Sequence, residues 1–268
     1  GSSAASDVYK RQILTSASAH FSIARAAVAA GLGTDAVVHI RTDAHGRMDV
    51  RELERMCAEM QADAAHPQGV PLIVCATSGT TVLGAFDDVA AIAEVCRKYD
   101  LWLHVDASWG GAAAFLPHDA PERSVLAGLE NAHSITINPH KLLGVTHQCS
   151  FLLVHDKSVL IPPSHSDGGY LFHVPAEDAL DMATKTLGCG RRGDALKFYL
   201  VWLRYGTQGL GDHIAHGLRM AQALWQRLQR IPSLELGPHA DPLFLQICVR
   251  PREQSVRALH AQLQAHGQ

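Results

Sequence analysis

The sequence predicts an α/β layered domain built on a mainly parallel β-sheet. Three observations predict it. Apolar runs of strand length alternate along the chain with stretches at helical spacing. One run, Pro71–Ala76, is continuously apolar, as strands covered on both faces are. Polar, glycine-bearing segments follow three of the strands, where open α/β sheets carry their ligands. With 268 residues, 47% of them hydrophobic, the chain can bury one large domain or a large and a small one.

Taken in order, residues 1–12 are polar and unpatterned and read as an unstructured leader. Phe21–Ala30 is alanine-rich with helical spacing, and Gly31 is a natural stop. Ala36–Ile40 is a short β-rich run. Asp49 followed by Glu52 has the form of a capping box, opening a helix through Met60 with Leu53, Met56 and Met60 on one face. After the Pro71–Ala76 strand, Asp88–Tyr99 is helical and Leu101–Val105 extended; His133–Ile137 and Ser150–Val154 supply two more strands. Helical stretches follow at Asp194–Arg204 and Asp212–Arg230. The glycine-bearing stretch between them marks a boundary: a partial large domain over 13–205, then the start of a small C-terminal domain over 206–268.

Composition narrows the function. A formal net charge of −3 gives no reason to expect a nucleic-acid or membrane-surface partner. No apolar run approaches the roughly 18 residues of a membrane span, and the amino terminus lacks a signal pattern. The six cysteines (Cys57, Cys75, Cys96, Cys149, Cys189 and Cys248) are scattered through apolar stretches without a CxxC pair. They read as buried free thiols in a reducing, cytoplasmic setting.

The chemistry sits after the strands, in Thr77-Ser78-Gly79-Thr80-Thr81, Asp106-Ala107-Ser108-Trp109-Gly110-Gly111 and Asn138-Pro139-His140-Lys141. Asp106 ends an apolar strand, where a carboxylate is costly unless a cation or donor faces it; a cap for the following turn is the alternative reading. Lys141 follows the next strand, and a lysine there is ordinarily a solvated surface charge. Together the two fit a specific need. An amine can hold an aldehyde cofactor while a carboxylate keeps its pyridine nitrogen protonated.

These segments, with Val82-Leu83-Gly84-Ala85-Phe86-Asp87 and His104-Val105 alongside them, resemble the group II pyridoxal-phosphate-dependent amino-acid decarboxylases, in particular the glutamate and cysteine sulfinate branch. The resemblance runs from about Ile13 to about Arg230. It implies the pyridoxal-phosphate fold type I, with pyridoxal 5'-phosphate as cofactor and Lys141 as its Schiff-base lysine. It implies Asp106 facing the pyridine nitrogen, His20 stacked on the ring, Thr81 beside the cofactor, Ala107 beneath the ring, and Asn138 and His140 near the phosphate. Tyr170, in Gly169-Tyr170-Leu171-Phe172, matches a catalytic-loop tyrosine that returns a proton to the α-carbon. Arg191 or Arg192 could hold a substrate carboxylate or serve an interfacial ion pair. The family is dimeric with its active site at the subunit interface, so a homodimer acting on a small amino acid is implied.

The expected reaction is decarboxylation of an acidic L-amino acid: cysteine sulfinate, glutamate or aspartate. Two alternatives stay open. One is another enzyme of the same fold, such as an aminotransferase or a carbon–sulfur lyase; the other is a truncated homologue that only dimerises. Family members are longer, with a phosphate-binding loop upstream of the stacking histidine, so the chain reads as a fragment expected to bind cofactor weakly and turn over poorly. Ser108 stands where alanine is more usual. Gly31-Leu32-Gly33-Thr34-Asp35-Ala36 has the form of a dinucleotide fingerprint but follows a helix and precedes a strand, the wrong context. His213 and His216 have a metal-like spacing without companion ligands, so no metal is expected.

Overall fold

The structure, a computed structural model, describes residues 11–62, 69–160, 185–186, 192–237, 242 and 244–266. Its centre is a six-stranded sheet of β1 (Arg11–Ser16), β2 (Val37–Ile40), β3 (Val70–Thr77), β4 (Trp102–Asp106), β5 (Ser134–Ile137) and β6 (Phe151–Val154), in the order β2-β1-β3-β4-β5-β6. Every adjacent pair is parallel except β5 with β6. Helices α1 (Ser22–Ala29), α2 (Val50–Ala62) and α3 (Val89–Lys98) supply the crossovers between parallel strands.

The period-two alternation of the strands explains the two faces. Leu14, Val74, Ala76, Leu103 and Val105 point one way, into an apolar core with Leu53, Cys57 and Met60 of α2 and Val89, Ile92 and Cys96 of α3. The other face carries Thr15, Cys75, Thr77, His104, Asp106, Ser134 and Thr136, in register across neighbouring strands. This polar face bears on function. Helix α3 starts where the sequence indicates, with the Asp88 side chain accepting from the Ala91 N–H.

Several expectations change. Arg11 and Gln12, expected in the leader, open β1, and Gln12 is buried. The capping box near Asp49 is only half made. Its carboxylate accepts from the backbone of Arg51 and Glu52, whereas the Glu52 side chain turns to Arg41 and Arg55 instead of reaching back. Cys57 joins Leu53 and Met60 as a fully buried residue of α2, and Met56 is half-buried against the same core. The two helical stretches after residue 193 stand as expected, as the two halves of α4 (Asp194–Leu228), separated at Gly206, whose backbone is non-helical (φ 66°, ψ 177°). Beyond it lie an antiparallel pair, β7 (Leu234–Leu236) with β8 (Val249–Pro251), and α5 (Val256–Ala265). A second apolar cluster joins α4 to the turns after β4, with Leu210, Ile214, Ala113, Leu116 and Phe244 buried together. Among the described residues, no helix is long and apolar enough to cross a membrane.

Candidate active site

In the strand order, β2 and β3 lie on opposite sides of β1, so the chain reverses direction across the sheet there. Such a switch point opens a crevice at the carboxyl ends of the strands. A cavity of about 670 Å³ occupies that end of the polar face. It is lined by His20, Ser22, Ile23 and Ala26 after β1, and by Thr77, Gly79 and Thr81 at the end of β3 and beyond. His104, Asp106, Ser108 and Trp109 come from β4 and its exit, Thr136, Asn138, Lys141 and Ser150 from β5 and the loop after it, and Gln246 from the C-terminal segment. The volume suits a cofactor with a small substrate.

The loops after β3 and β4 interlock through backbone groups. Ser78 N–H donates to Asp106 O at 2.9 Å, and Gly110 N–H donates to Ser78 O at 3.0 Å. No side chain fits between them. A Cβ on Gly79, whose φ is +93°, would lie 2.9 Å from Gly110 N, and one on Gly110 would overlap Ser78 O and the Phe86 ring. The glycines of both motifs therefore let two strand exits pack backbone to backbone, which fixes the height of Asp106 relative to Thr81.

Asp106 is half-buried between its in-register neighbours Thr77 and Thr136. One carboxylate oxygen accepts the Ser108 N–H at 3.0 Å. Two residues earlier, on the same face, His104 is held by hydroxyls. Trp102 Nε1–H can only donate, and it donates to Ser134 Oγ at 2.9 Å. The Ser134 hydroxyl that accepts it also lies 2.8 Å from His104 Nδ1, and Thr136 Oγ1 lies 3.4 Å from Nε2, so both ring nitrogens face hydroxyls. Burial lowers the His104 pKa below the ordinary histidine value, against the opposing pull of the Asp106 charge. Burial favours a neutral ring, and the two hydroxyls orient it under the cavity floor.

Lys141 sits in a turn closed by its own N–H to Asn138 O at 3.0 Å and by Val145 N–H to Pro139 O at 3.2 Å. Its side chain is exposed on the cavity wall, and among the described residues no carboxylate pairs with it. Asn138 Oδ1 is buried with no hydrogen-bond partner among the described residues, an uncompensated acceptor that a bound molecule can satisfy. His20 is half-buried at the start of α1. Its Nδ1 accepts the Ser22 N–H at 3.2 Å, which orients the ring at the cavity wall.

The structure thus brings His20, Thr81, Asp106, Asn138 and Lys141 to one cavity. It does not bring Ala107 or His140 to the wall. Ala107 is wholly buried on the opposite face, in the apolar core, and Ser108 takes the wall position expected of it. The cause is the strand alternation, which continues one residue past Asp106. His140 faces Cys149, whose N–H lies 3.1 Å from its Nδ1, and packs against His147. Arg192 is exposed and away from the wall, and Tyr170 and Arg191 lie outside the described residues. Sequence reasoning quoted His104 and Trp109 within its motifs without giving them a role, and it missed Thr136 and Gln246. The first three were legible as same-face or next-loop neighbours of Asp106; Gln246 carried no signal.

An amine, a carboxylate, an imidazole and an unpaired amide oxygen around one cavity at the strand ends are a donor set that fits pyridoxal 5'-phosphate. Comparison with known proteins agrees. An L-aspartate decarboxylase of Metarhizium robertsii is 42% identical over 241 residues, covering 90% of this chain and 47% of that protein. The human cysteine sulfinic acid decarboxylase is 41% identical over 239 residues, with 88% and 47% covered. The chain therefore spans about half the length of these relatives. Among solved structures, mouse CSAD superposes with a TM-score of 0.81 at 36% identity, covering 96% of this chain and 53% of that one. This places the fold with the fold-type-I decarboxylases. The family model described as the pyridoxal-dependent decarboxylase conserved domain matches residues 3–250, and the chain belongs to that family.

Proposed function

We propose that the chain binds pyridoxal 5'-phosphate and decarboxylates an acidic L-amino acid, releasing the amine and carbon dioxide. The observation that carries this reading is that Lys141 and Asp106, delivered by the exits of adjacent strands, line the same cavity. When bound, the cofactor supplies the electron sink for the pair released at the substrate α-carbon. Everything else falls to the chain. Lys141 Nζ holds the aldehyde end and moves protons there. Asp106 would hold a proton at the pyridine nitrogen, with Ser108 N–H fixing its carboxylate and His104 beside Thr136 behind it. His20, on the cavity wall, would face the ring and exclude water from it. Thr81 would sit beside the cofactor and Asn138 near its phosphate, while His140 braces the Lys141 turn against the backbone of Cys149. Tyr170 is the proposed proton donor to the α-carbon. Aspartate and cysteine sulfinate are the first substrates to try, because the relatives are named for them.

The test is borohydride reduction of the chain with pyridoxal phosphate, followed by peptide mapping and by amine detection with aspartate, cysteine sulfinate and glutamate. The expected result is cofactor mass on the peptide containing Lys141, none in Lys141→Ala, and amine as product. Label spread over surface lysines, or keto acid in place of amine, would overturn the reading.

A homodimer with the active site at its interface belongs to the same proposal. Leu196, Tyr199, Leu200 and Leu203 form an exposed stripe at helical spacing on the first half of α4, and apolar patches of that kind mark contact surfaces. A cytoplasmic location is also proposed, supported by the free, buried thiols of Cys57, Cys75, Cys96 and Cys149.

A further inference from the structure

We propose that Gln246 is a positioning residue that clasps the two walls of the cavity together; the inference rests on the cofactor reading above. Gln246 comes from the segment between β7 and β8, 137 and 166 residues away in sequence from the two groups it bonds. Its Oε1 accepts the Trp109 Nε1–H at 3.1 Å, and its Nε2 donates to Thr80 O at 3.1 Å. Both partners have one polarity. An indole N–H only donates and a carbonyl only accepts, so the amide has a single satisfying orientation.

The two partners belong to the two interlocked loops. Trp109 follows Asp106 on the exit of β4 and lines the cavity; Thr80 lies next to Thr81 in the turn after β3. That turn closes on itself through Gly84 N–H to Thr80 O and Ala85 N–H to Thr80 Oγ1, both at 2.9 Å. Gly84 leaves the space the amide uses, since a Cβ there would collide with the Gln246 side chain. Nearby, Cys248 Sγ approaches Val82 O at 3.4 Å, a second contact between the same segments. The clasp therefore sets the separation of the Trp109 wall from the Thr81 wall and makes cavity width depend on the C-terminal segment. Glutamine suits the task because it presents an acceptor and a donor about two bonds apart on one rigid plane. Leucine keeps the volume and loses both bonds. Glutamate keeps the acceptor for Trp109 but sets an anion against the Thr80 carbonyl.

The experiment compares wild type with Gln246→Leu, Gln246→Glu and Trp109→Phe in the full chain. The Trp109 indole N–H resonance is assigned by its loss in Trp109→Phe, and pyridoxal phosphate affinity is measured by absorbance titration. Without cofactor, Gln246→Leu is expected to move that resonance upfield and speed its hydrogen exchange at least tenfold, while Gln246→Glu keeps it near the wild-type position. With cofactor, Gln246→Leu is expected to weaken binding about tenfold, the scale of coupling carried by a residue outside the ligand contacts, and the double variant with Trp109→Phe to weaken it by no more than the larger single effect. An unmoved indole resonance in Gln246→Leu overturns the clasp. A moved resonance with unchanged cofactor affinity, in a wild type that binds, overturns its positioning role. A wild type that binds no cofactor while the resonance still shifts condemns both the cofactor reading and the positioning role built on it, and leaves only a structural clasp.

Discussion

Asp106 and Lys141 each carry an ordinary alternative as single residues, and it is their convergence on one cavity that gives them meaning. Asp106→Ala is expected to lower turnover by about 100-fold or more, the scale of losing a preorganised charge in an active site, with the melting temperature within a few degrees of wild type. Steady-state kinetics beside a thermal melt checks this. Asp87 behaves differently. It is 4% exposed and accepts the N–H groups of Met48 at 2.6 Å and Thr77 at 2.8 Å. Burial outweighs those bonds and raises its pKa to about 6, with Asp43 adding to the rise and Arg47 opposing it. Because the folded value lies above the unfolded one, its contribution to stability is fully present below about pH 4 and is lost as pH rises through about 6. Urea denaturation is expected to show a decline over that window that Asp87→Asn removes. Whereas His20 rested on the family resemblance alone, the places of Asp106 and Lys141 were visible in sequence because each follows a strand whose apolar pattern is plain. The placement of Ala107 was not, since one step of strand alternation decides which of two neighbours faces the cavity, and a motif does not show where the strand stops.

At the level of elements, the glycine-bearing loops do more than turn the chain. Gly79→Ala is expected to cost on the order of 2–4 kcal/mol, combining a left-handed backbone with a contact against Gly110 N. Denaturant midpoints measure it, with Gly144→Ala as a control for backbone strain where a Cβ meets nothing within 4 Å. The excess of the first loss over the second reports the interlock. Strands β2 to β6 and helices α1 to α3 were legible because each carries a clear apolar run or helical spacing, reinforced at α3 by the Asp88 cap. Strand β1 was obscured by its polar start, Arg11-Gln12, although Gln12 is buried. The short β7 and β8 span three residues each, too few for a period-two pattern to emerge. Gln246 lies in the irregular run before β8, which is why its part in the cavity wall was invisible beforehand.

Over the whole molecule, burial divides the thiols by reactivity. Cys57 is pushed up to about 11 and Cys75 and Cys96 to about 12, mainly by desolvation, while Cys248 is only half-buried. Iodoacetamide at pH 8 is therefore expected to label Cys248 well before those three, and mass mapping over a time course reads the order. The exposed stripe of α4 makes an opposite expectation at the surface: Leu200→Glu with Leu203→Glu should reduce self-association in sedimentation velocity without changing the melting temperature by more than a few degrees. The α/β class was legible because it follows from alternation alone. The half-polar character of the sheet was less so, because it depends on which strands lie side by side, and the strand order is not written in any single segment.

The reversal at β6 has a mechanical consequence. Strands β5 and β6 are hydrogen-bonded neighbours running in opposite directions, with Ile137 opposite Phe151. The bend that carries Lys141 therefore leaves the sheet and returns to it at adjacent points, like a handle fastened at both ends. Leu143 and Val145 of the same bend are buried against Leu210 and Ile214 of α4, a third fastening, so a shift of that helix reaches the base of the amine through packing while the strands hold its two ends.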